Sequence, residues 1–223
     1  MRAPLFRYFS EEAHARAFID KGEIYSRPLA YFRAYEDGLV RGDPNDGMLL
    51  HAPGTGLVLT KENGEAIEMP PGWRFRASAM ENDIFVYCLS LERSEELAEK
   101  FESPFCVEVR NTIRLVGRIA SSARLRSRLD RHVHSRPVDY RRPAAAPGVD
   151  WALPERVAFI KPEGWAWQKE HRIVLGLKGA FDVENVDCAL ESNPRPPAAP
   201  VAPAAPLILH VGDLSKMTEL HQF

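Results

Sequence analysis

The chain has 223 residues, 45% of them hydrophobic and 27% charged, with a formal net charge of −2. This is the composition of an ordinary soluble globular protein with room for one sizeable core, and the near-neutral balance excludes a global electrostatic drive toward nucleic acid or anionic membranes. No apolar run approaches the roughly 20 residues of a bilayer crossing, and no signal-like apolar segment follows the N-terminus, so the expected partners exclude a membrane and the expected compartment is the cytoplasm. Cys88, Cys106 and Cys188 are too widely spaced for a disulfide framework or a CxxC zinc site.

Residues 4–10, PLFRYFS, alternate loosely and are rich in aromatics, which predicts a short strand. Ser10 then offers an N-cap, Glu11 and Glu12 suit the positive end of a helix, and Gly22 stands where a C-cap is expected. Residues 23–32, EIYSRPLAYF, read as a second strand interrupted at Pro28. Glycines, Asp, Asn and Pro in 33–47 predict an ordered loop, and 56–70 a hairpin turning at Asn63 and Gly64 in a type I′ turn. DIFVYCLSL, 83–91, is apolar on both faces and predicts a central strand; Ser94 opens a short helix, and 105–110 form another strand.

The segment that follows carries a local charge excess, with ten arginines in 110–142 against Asp130 and Asp139. A helix is expected there. RVAFIKP and QKEHRIVLGL read as strands, and 207–220 as a strand followed by a helix capped by Asp213 or Ser215. Between them, 193–206 is a Pro/Ala-rich stretch with no core of its own, an insertion or loop within a single α+β domain spanning 1–223. The expected fold is α+β, a mixed, largely antiparallel sheet with flanking helices.

Candidate chemistry begins at WAWQKEHRIVLGL, 165–177, where a strand would put Gln168, Glu170 and Arg172 on one face. A carboxylate at the end of a central strand can bond a ribose hydroxyl and stabilise an oxocarbenium-like cation; the plain alternative is a structural pair between Glu170 and Arg172. Tyr25, Ser26, Tyr31 and Phe32 on the second strand offer a stacking surface or core packing. Arg7 and Tyr8 on the first strand are placed for a ribose or pyrophosphate, and Arg41, Asp43 and Asp46 sit on a loop that is either a ligand clamp or an Asx turn. Arg124, Arg126, Arg128 and Arg131 can hold phosphates or form a solvated helix face. His132 and His134 lack further ligands, so no metal is expected. The P-loop, dinucleotide-fold, hydrolase-elbow and zincin motifs are all absent.

LFRYFS, GEIYSRPLAYFRAYED, DIFVYCLS and KPEGWAWQKEHRIV, in that order, resemble the motifs of a bacterial family catalogued as domain of unknown function 2971, with Gln168 in place of that family's first Glu. The resemblance spans most of residues 4–176. The same skeleton is similar to the catalytic core of ADP-ribosyltransferases, which implies a split sheet and NAD as substrate. By that resemblance Arg7 or Tyr8 holds the nucleotide, Tyr25 and Ser26 line the nicotinamide pocket, Gln168 faces the acceptor and Glu170 contacts the ribose; from the residues themselves Tyr31, Arg41 and Arg172 are further cofactor-binding candidates, and Gln168 or Arg172 is expected to orient the acceptor. The implied activity is ADP-ribosyl transfer to a protein or nucleic acid, or NAD cleavage, in a toxin or phage-defence effector. The contrasting expectation is a non-enzymatic nucleic-acid- or protein-binding module using 110–142.

Overall fold

The most apolar stretch of the chain takes the middle of its largest sheet. In the computed structural model, which describes residues 3–34, 43–192 and 202–223, the elements run β1 (Leu5–Phe9), α1 (Glu12–Lys21), β2 (Glu23–Pro28), α2 (Leu29–Ala34), β3 (Met48–His51), β4 (Val58–Thr60), β5 (Ala66–Glu68), β6 (Trp73–Ser78), β7 (Ile84–Ser90), α3 (Glu95–Lys100) and β8 (Phe105–Val109). They continue with α4 (Thr112–Arg124), β9 (His134–Pro137), β10 (Asp139–Arg141), α5 (Pro154–Val157), β11 (Ile160–Pro162), β12 (Glu170–Gly176), β13 (Asp187–Ser192), β14 (Leu207–His210) and β15 (Thr218–Gln222). The architecture is α+β, with an antiparallel eight-stranded sheet and helices on both faces. Among the described residues only β10 and β11 pair in parallel. No helix among them is long and apolar enough to cross a membrane.

The path of the sheet is β14-β2-β7-β1-β8-β15, with β12 and then β9 continuing from β7 on its other side. One edge of β7 is filled by β12 along its whole length, from Glu170 opposite Ser90 to Gly176 opposite Ile84. The other edge is shared. It pairs with β2 at Phe85 and Val86, and with β1 only at Ser90. Between Val86 and Ser90, β1 and β2 diverge, so the sheet forks.

Side-chain alternation sends the two faces of these strands to different cores. Leu5, Ile24, Tyr87, Leu89, Ile173 and Leu175 face α1 and α4, meeting Phe18, Ile19, Leu115 and Ile119. On the opposite face, Val86 and Val174 pack with Leu29 of α2 and Val157 of α5, while Tyr8 and Cys106 pack with Leu97 and Ala98 of α3. These two patches leave the fork uncovered between them. Helix α4 forms because Asn111 accepts from the Arg114 N–H at its start and Leu115, Ile119 and Ala123 recur on one side. Gly22 ends α1 at φ 60°, where a Cβ would meet the Gly212 carbonyl at 2.3 Å.

Ser94 caps α3 as expected, its Oγ accepting from the Leu97 N–H at 3.1 Å. Replacing it by alanine is expected to lower stability by about 1 kcal/mol in chemical denaturation; a change below about 0.3 kcal/mol would show the cap to be idle.

Several expectations are corrected. Residues 29–34 turn into α2 directly after Pro28, so Tyr31 and Phe32 ride on a helix. Helix α1 starts at Glu12 with Glu11, not Ser10, at the cap position and no side-chain cap bond. In the β4–β5 hairpin only Gly64 has positive φ, so the turn is not type I′. Of RVAFIKP, Arg156 and Val157 belong to α5 and only Ile160–Pro162 is strand. The basic segment is helical as far as Arg124 and then supplies β9 and β10. At the C-terminus a single 3₁₀ turn at Ser215–Met217 leads into β15, a strand beside β8, where a helix was expected. β14 joins β2 at the sheet edge after the Pro/Ala-rich stretch, of which 193–201 lie outside the described residues.

Candidate functional site

The fork holds a cleft of about 530 Å³, within the size range of small-ligand sites. Its walls come from β1, β2, β7, α2 and the start of β12, and include Arg7, Tyr8, Tyr25, Arg27, Tyr31, Phe32, Cys88, Lys161, Gln168 and Glu170. Because Arg7, Phe9 and Tyr87 belong to one face of the sheet while Tyr8, Tyr25, Cys88 and Glu170 belong to the other, the cleft reaches through the sheet and does not merely lie on it. Opening the ladder exposes backbone polar groups, which need partners. Arg7 meets one of them, its Nη1 donating to the Cys88 carbonyl at 2.7 Å.

Glu170 opens β12 and is fixed by its own backbone. Its N–H donates to the Tyr140 hydroxyl at 2.8 Å and its carbonyl accepts from the Val138 N–H at 2.9 Å. Its side chain is 6% exposed. Oε1 accepts from Arg172 Nε at 2.8 Å and Oε2 from Lys161 Nζ at 3.0 Å; Lys161 in turn donates to Gln168 Oε1 at 2.7 Å. Burial alone pushes the Glu170 carboxyl up, but the charges of Arg172 and Lys161 overcome this and hold it well below the usual carboxylate range. Lys161 is desolvated too, yet Glu170 and Asp46 keep its ammonium above the ordinary lysine value. The cleft wall therefore carries a carboxylate that stays ionised. Arg172 Nη2 at 3.4 Å and the Cys88 thiol also donate to it, so most of its roughly four acceptor sites are taken.

Arg172 is the hub behind this wall. It is fully buried, donates bidentately to Asp46 at 2.6 and 2.7 Å, and also meets the Ala158 carbonyl. That geometry explains why an otherwise apolar strand starts with charged residues. Glu170 and Arg172 share a face with Val174, and the loop around Asp46 covers that end of the face, where an ion pair is the partner supplied.

Asp43 on the same loop forms an Asx turn, its Oδ1 accepting from the Asn45 N–H at 2.9 Å, while Oδ2 is buried without a partner. Burial, reinforced by the negative charge of Asp46, raises the Asp43 carboxyl to about 6; the nearby Lys161 and Arg172 offset only part of this. A carboxyl raised on folding favours the folded state at low pH, and that contribution is lost as pH rises from its unfolded value near 4 through about 6. Asp43→Asn is thus expected to gain melting temperature relative to the parent as pH is taken from 4 to 7. A parallel shift of both proteins with pH would sink the assignment.

The structure brings together Arg7, Tyr8, Tyr25, Tyr31, Gln168 and Glu170 around one cleft. It corrects three of the expected roles. Ser26 alternates with Tyr25 and is fully buried away from the cleft. Arg172 is walled off behind Glu170, so it positions that carboxylate and cannot meet an acceptor. Tyr8 presents only its ring, because its hydroxyl donates to the Glu92 carbonyl and accepts from the Ser94 N–H, and burial pushes the phenol up to about 12. Arg41 lies outside the described residues. Gln168 does not alternate with Glu170 along a strand. A 3₁₀ turn and Lys169 at φ 48° precede β12 and bring the amide to Lys161.

Arg27 and Lys161 are among the cleft residues that carried no sequence assignment. Arg27 lies 4.7 Å from the Tyr25 ring and 4.1 Å from the Tyr31 ring, a cation held between aromatic faces. Lys161 was hidden as the one charged residue in the apolar run before Pro162. In the basic segment, Arg110 pairs with Glu219, Arg118 donates to the Asp213 carbonyl, Arg141 pairs with Asp139 and Asp150, and Arg142 pairs with Glu163, while Arg124, Arg126, Arg128 and Arg131 are exposed. Comparison with known protein families, with curated proteins and with solved structures finds no match.

Proposed function

We propose that the cleft binds NAD as a substrate and that Glu170 promotes the loss of its nicotinamide, the ADP-ribosyl group passing to an acceptor or to water. One observation carries this reading: an ionised, rigidly held carboxylate on the wall of an aromatic- and cation-lined opening through the sheet. Cleavage of the bond between ribose C1′ and the pyridinium nitrogen leaves its electron pair on nicotinamide, which departs neutral, and leaves positive charge on the ribose. A fixed negative charge beside that sugar is worth more in the transition state than in the ground state, which is the condition for raising the rate. A nucleophile then adds to C1′ and gives up its proton.

Each wall supplies a part. Tyr25, Tyr31 and Phe32 offer faces to a planar ring, Arg7 and Arg27 offer donors to phosphate, and Gln168 is the amide left to meet an acceptor now that Arg172 is excluded. Consumption of NAD in this way suits a toxin or phage-defence effector. The direct test incubates the purified chain with NAD and measures free nicotinamide over time, alone and with protein or nucleic acid as acceptor. Release above the uncatalysed background is expected; none under any of these conditions overturns the proposal.

A further inference from the structure

The fold sorts the ten arginines of 110–142 into two groups. Arg110, Arg141 and Arg142 pair with carboxylates, Arg118 donates to the Asp213 carbonyl, and Arg136 lies 5.4 Å from the centre of the Phe159 ring. Arg124, Arg126, Arg128 and Arg131 are exposed and, among the described residues, have no such partner; Arg114 is exposed too, but at the opposite end of α4. The four fall together where α4 ends. The turn that carries them is pinned. The Arg126 N–H donates to the Ala123 carbonyl at 2.9 Å, the Leu129 N–H donates to the Arg126 carbonyl at 3.0 Å, and buried Leu129 bridges to Leu177 just beyond β12. The same contact brings in a fifth cation from a distant part of the chain: Lys178 is exposed, and its N–H donates to the Arg128 carbonyl at 3.0 Å.

No counter-charge comes with them. Asp130 is the one acidic residue between Asn111 and Val138, and its Oδ1 is taken by the His132 N–H at 2.8 Å. Among the described residues, neither Asp130 nor Asp182, in the turn after Lys178, forms an ion pair with any of the five cations. Like charges gathered in this way repel one another, and a polyanion is the ligand that relieves them. Guanidinium groups suit phosphate in particular, because they meet it with paired hydrogen bonds. No Phe, Tyr or Trp lies between Asn111 and Asp139, so the surface lacks the aromatic faces on which single-stranded bases stack. The densely charged backbone of a duplex needs no such faces.

We infer that Arg124, Arg126, Arg128, Arg131 and Lys178 form a docking surface for the phosphate backbone of duplex nucleic acid, bound without regard to base sequence. This surface is separate from the cleft. It lies beyond Gly176 at one end of β12, whereas Glu170 is at the other end, about 20 Å away at roughly 3.3 Å per residue. Docking here goes beyond the NAD reading and does not depend on it.

Fluorescence anisotropy with a short labelled DNA duplex, and with one of its strands alone, over a range of salt concentrations tests this. The logarithm of the affinity for the duplex is expected to fall with the logarithm of salt at a slope of roughly −3 to −5, for about three to five neutralised phosphates. Arg124→Gln/Arg126→Gln/Arg128→Gln is expected to flatten that slope by about 3 and to lower affinity about hundredfold at about 0.1 M salt, with the melting temperature unchanged because the side chains are exposed. Lys178→Gln alone is expected to flatten the slope by about 1. Arg142→Gln removes the same charge from a paired arginine and is expected to leave slope and affinity as they are. No binding to the duplex, a slope that the triple variant does not alter, a single strand bound as tightly as the duplex, or a loss in Arg142→Gln equal to that in Lys178→Gln overturns the surface. Polyglutamate or anionic phospholipid vesicles bound as tightly as the duplex, and lost in the same triple variant, also overturn it by assigning the arginines to another polyanion. Duplex binding with no release of nicotinamide from NAD leaves the surface standing and removes only the proposed reaction.

Discussion

Replacing Arg172 by methionine is expected to cost about 3–5 kcal/mol of folding stability, because the substitution removes one partner of a buried ion network and leaves the others charged. Asp46 loses both bonds of its bidentate contact, and Glu170 loses its closest cation. Asp46 cannot turn to water, since it is fully buried. For a chain of this length roughly 2–4 °C accompanies each kcal/mol, so a fall of roughly 6–20 °C in melting temperature is the readout. The companion variant Asp46→Asn/Arg172→Met removes the stranded charge on the loop and leaves Glu170 paired with Lys161. It is expected to recover part of the loss, giving a coupling energy in a double-mutant cycle. An Arg172→Met protein within about 1 kcal/mol of the parent would show that water reaches the network and that the cleft wall is softer than its hydrogen bonds imply.

What the sequence could disclose follows from the range of its signals. β7 was legible because a strand buried on both faces is apolar throughout, and α3 because its cap lies three residues from the amide it binds. The pair Gln168 and Glu170 stood out as polar residues at the head of an apolar strand, and a cleft lies beside Glu170. Contacts made across the chain left no local trace. Asp46 is 126 positions from Arg172, and nothing in the composition of either segment announces their pairing. β15 was misread because Thr218–Gln222 takes its conformation from the open edge of β8, a tertiary cause that overrides local preference. The fork itself arises from where β1 and β2 stop pairing with β7, a matter of register that side-chain types do not encode. Ser26 is different: strict alternation with Tyr25 already placed the two on opposite faces, so its exclusion from the cleft could have been foreseen.

Glu170→Gln carries the largest catalytic expectation. The amide matches the carboxyl in shape, and Arg172 keeps Asp46 while Lys161 keeps Gln168, but the new NH2 cannot accept from Arg172 or Lys161, so the melting temperature should fall, by less than in Arg172→Met where two carboxylates lose their cation. On the proposed NAD-cleaving reading, the negative charge is lost where the ribose would become positive. Removal of a single preorganised electrostatic group of this kind typically lowers kcat by about 10²–10³-fold, and nicotinamide release is expected to fall by that amount. The KM for NAD should change little, because the interaction strengthens only as charge develops. Gln168→Ala provides the contrast. Its amide oxygen accepts from Lys161, and if, as proposed, it orients the acceptor, transfer should decline more than hydrolysis to free ADP-ribose. If Glu170→Gln released nicotinamide within about threefold of the parent while remaining folded, the carboxylate would be a structural member of the Arg172 network and nothing more. A fall in release with KM rising in proportion would instead place Glu170 in ground-state binding, with the bond-breaking step governed elsewhere in the cleft.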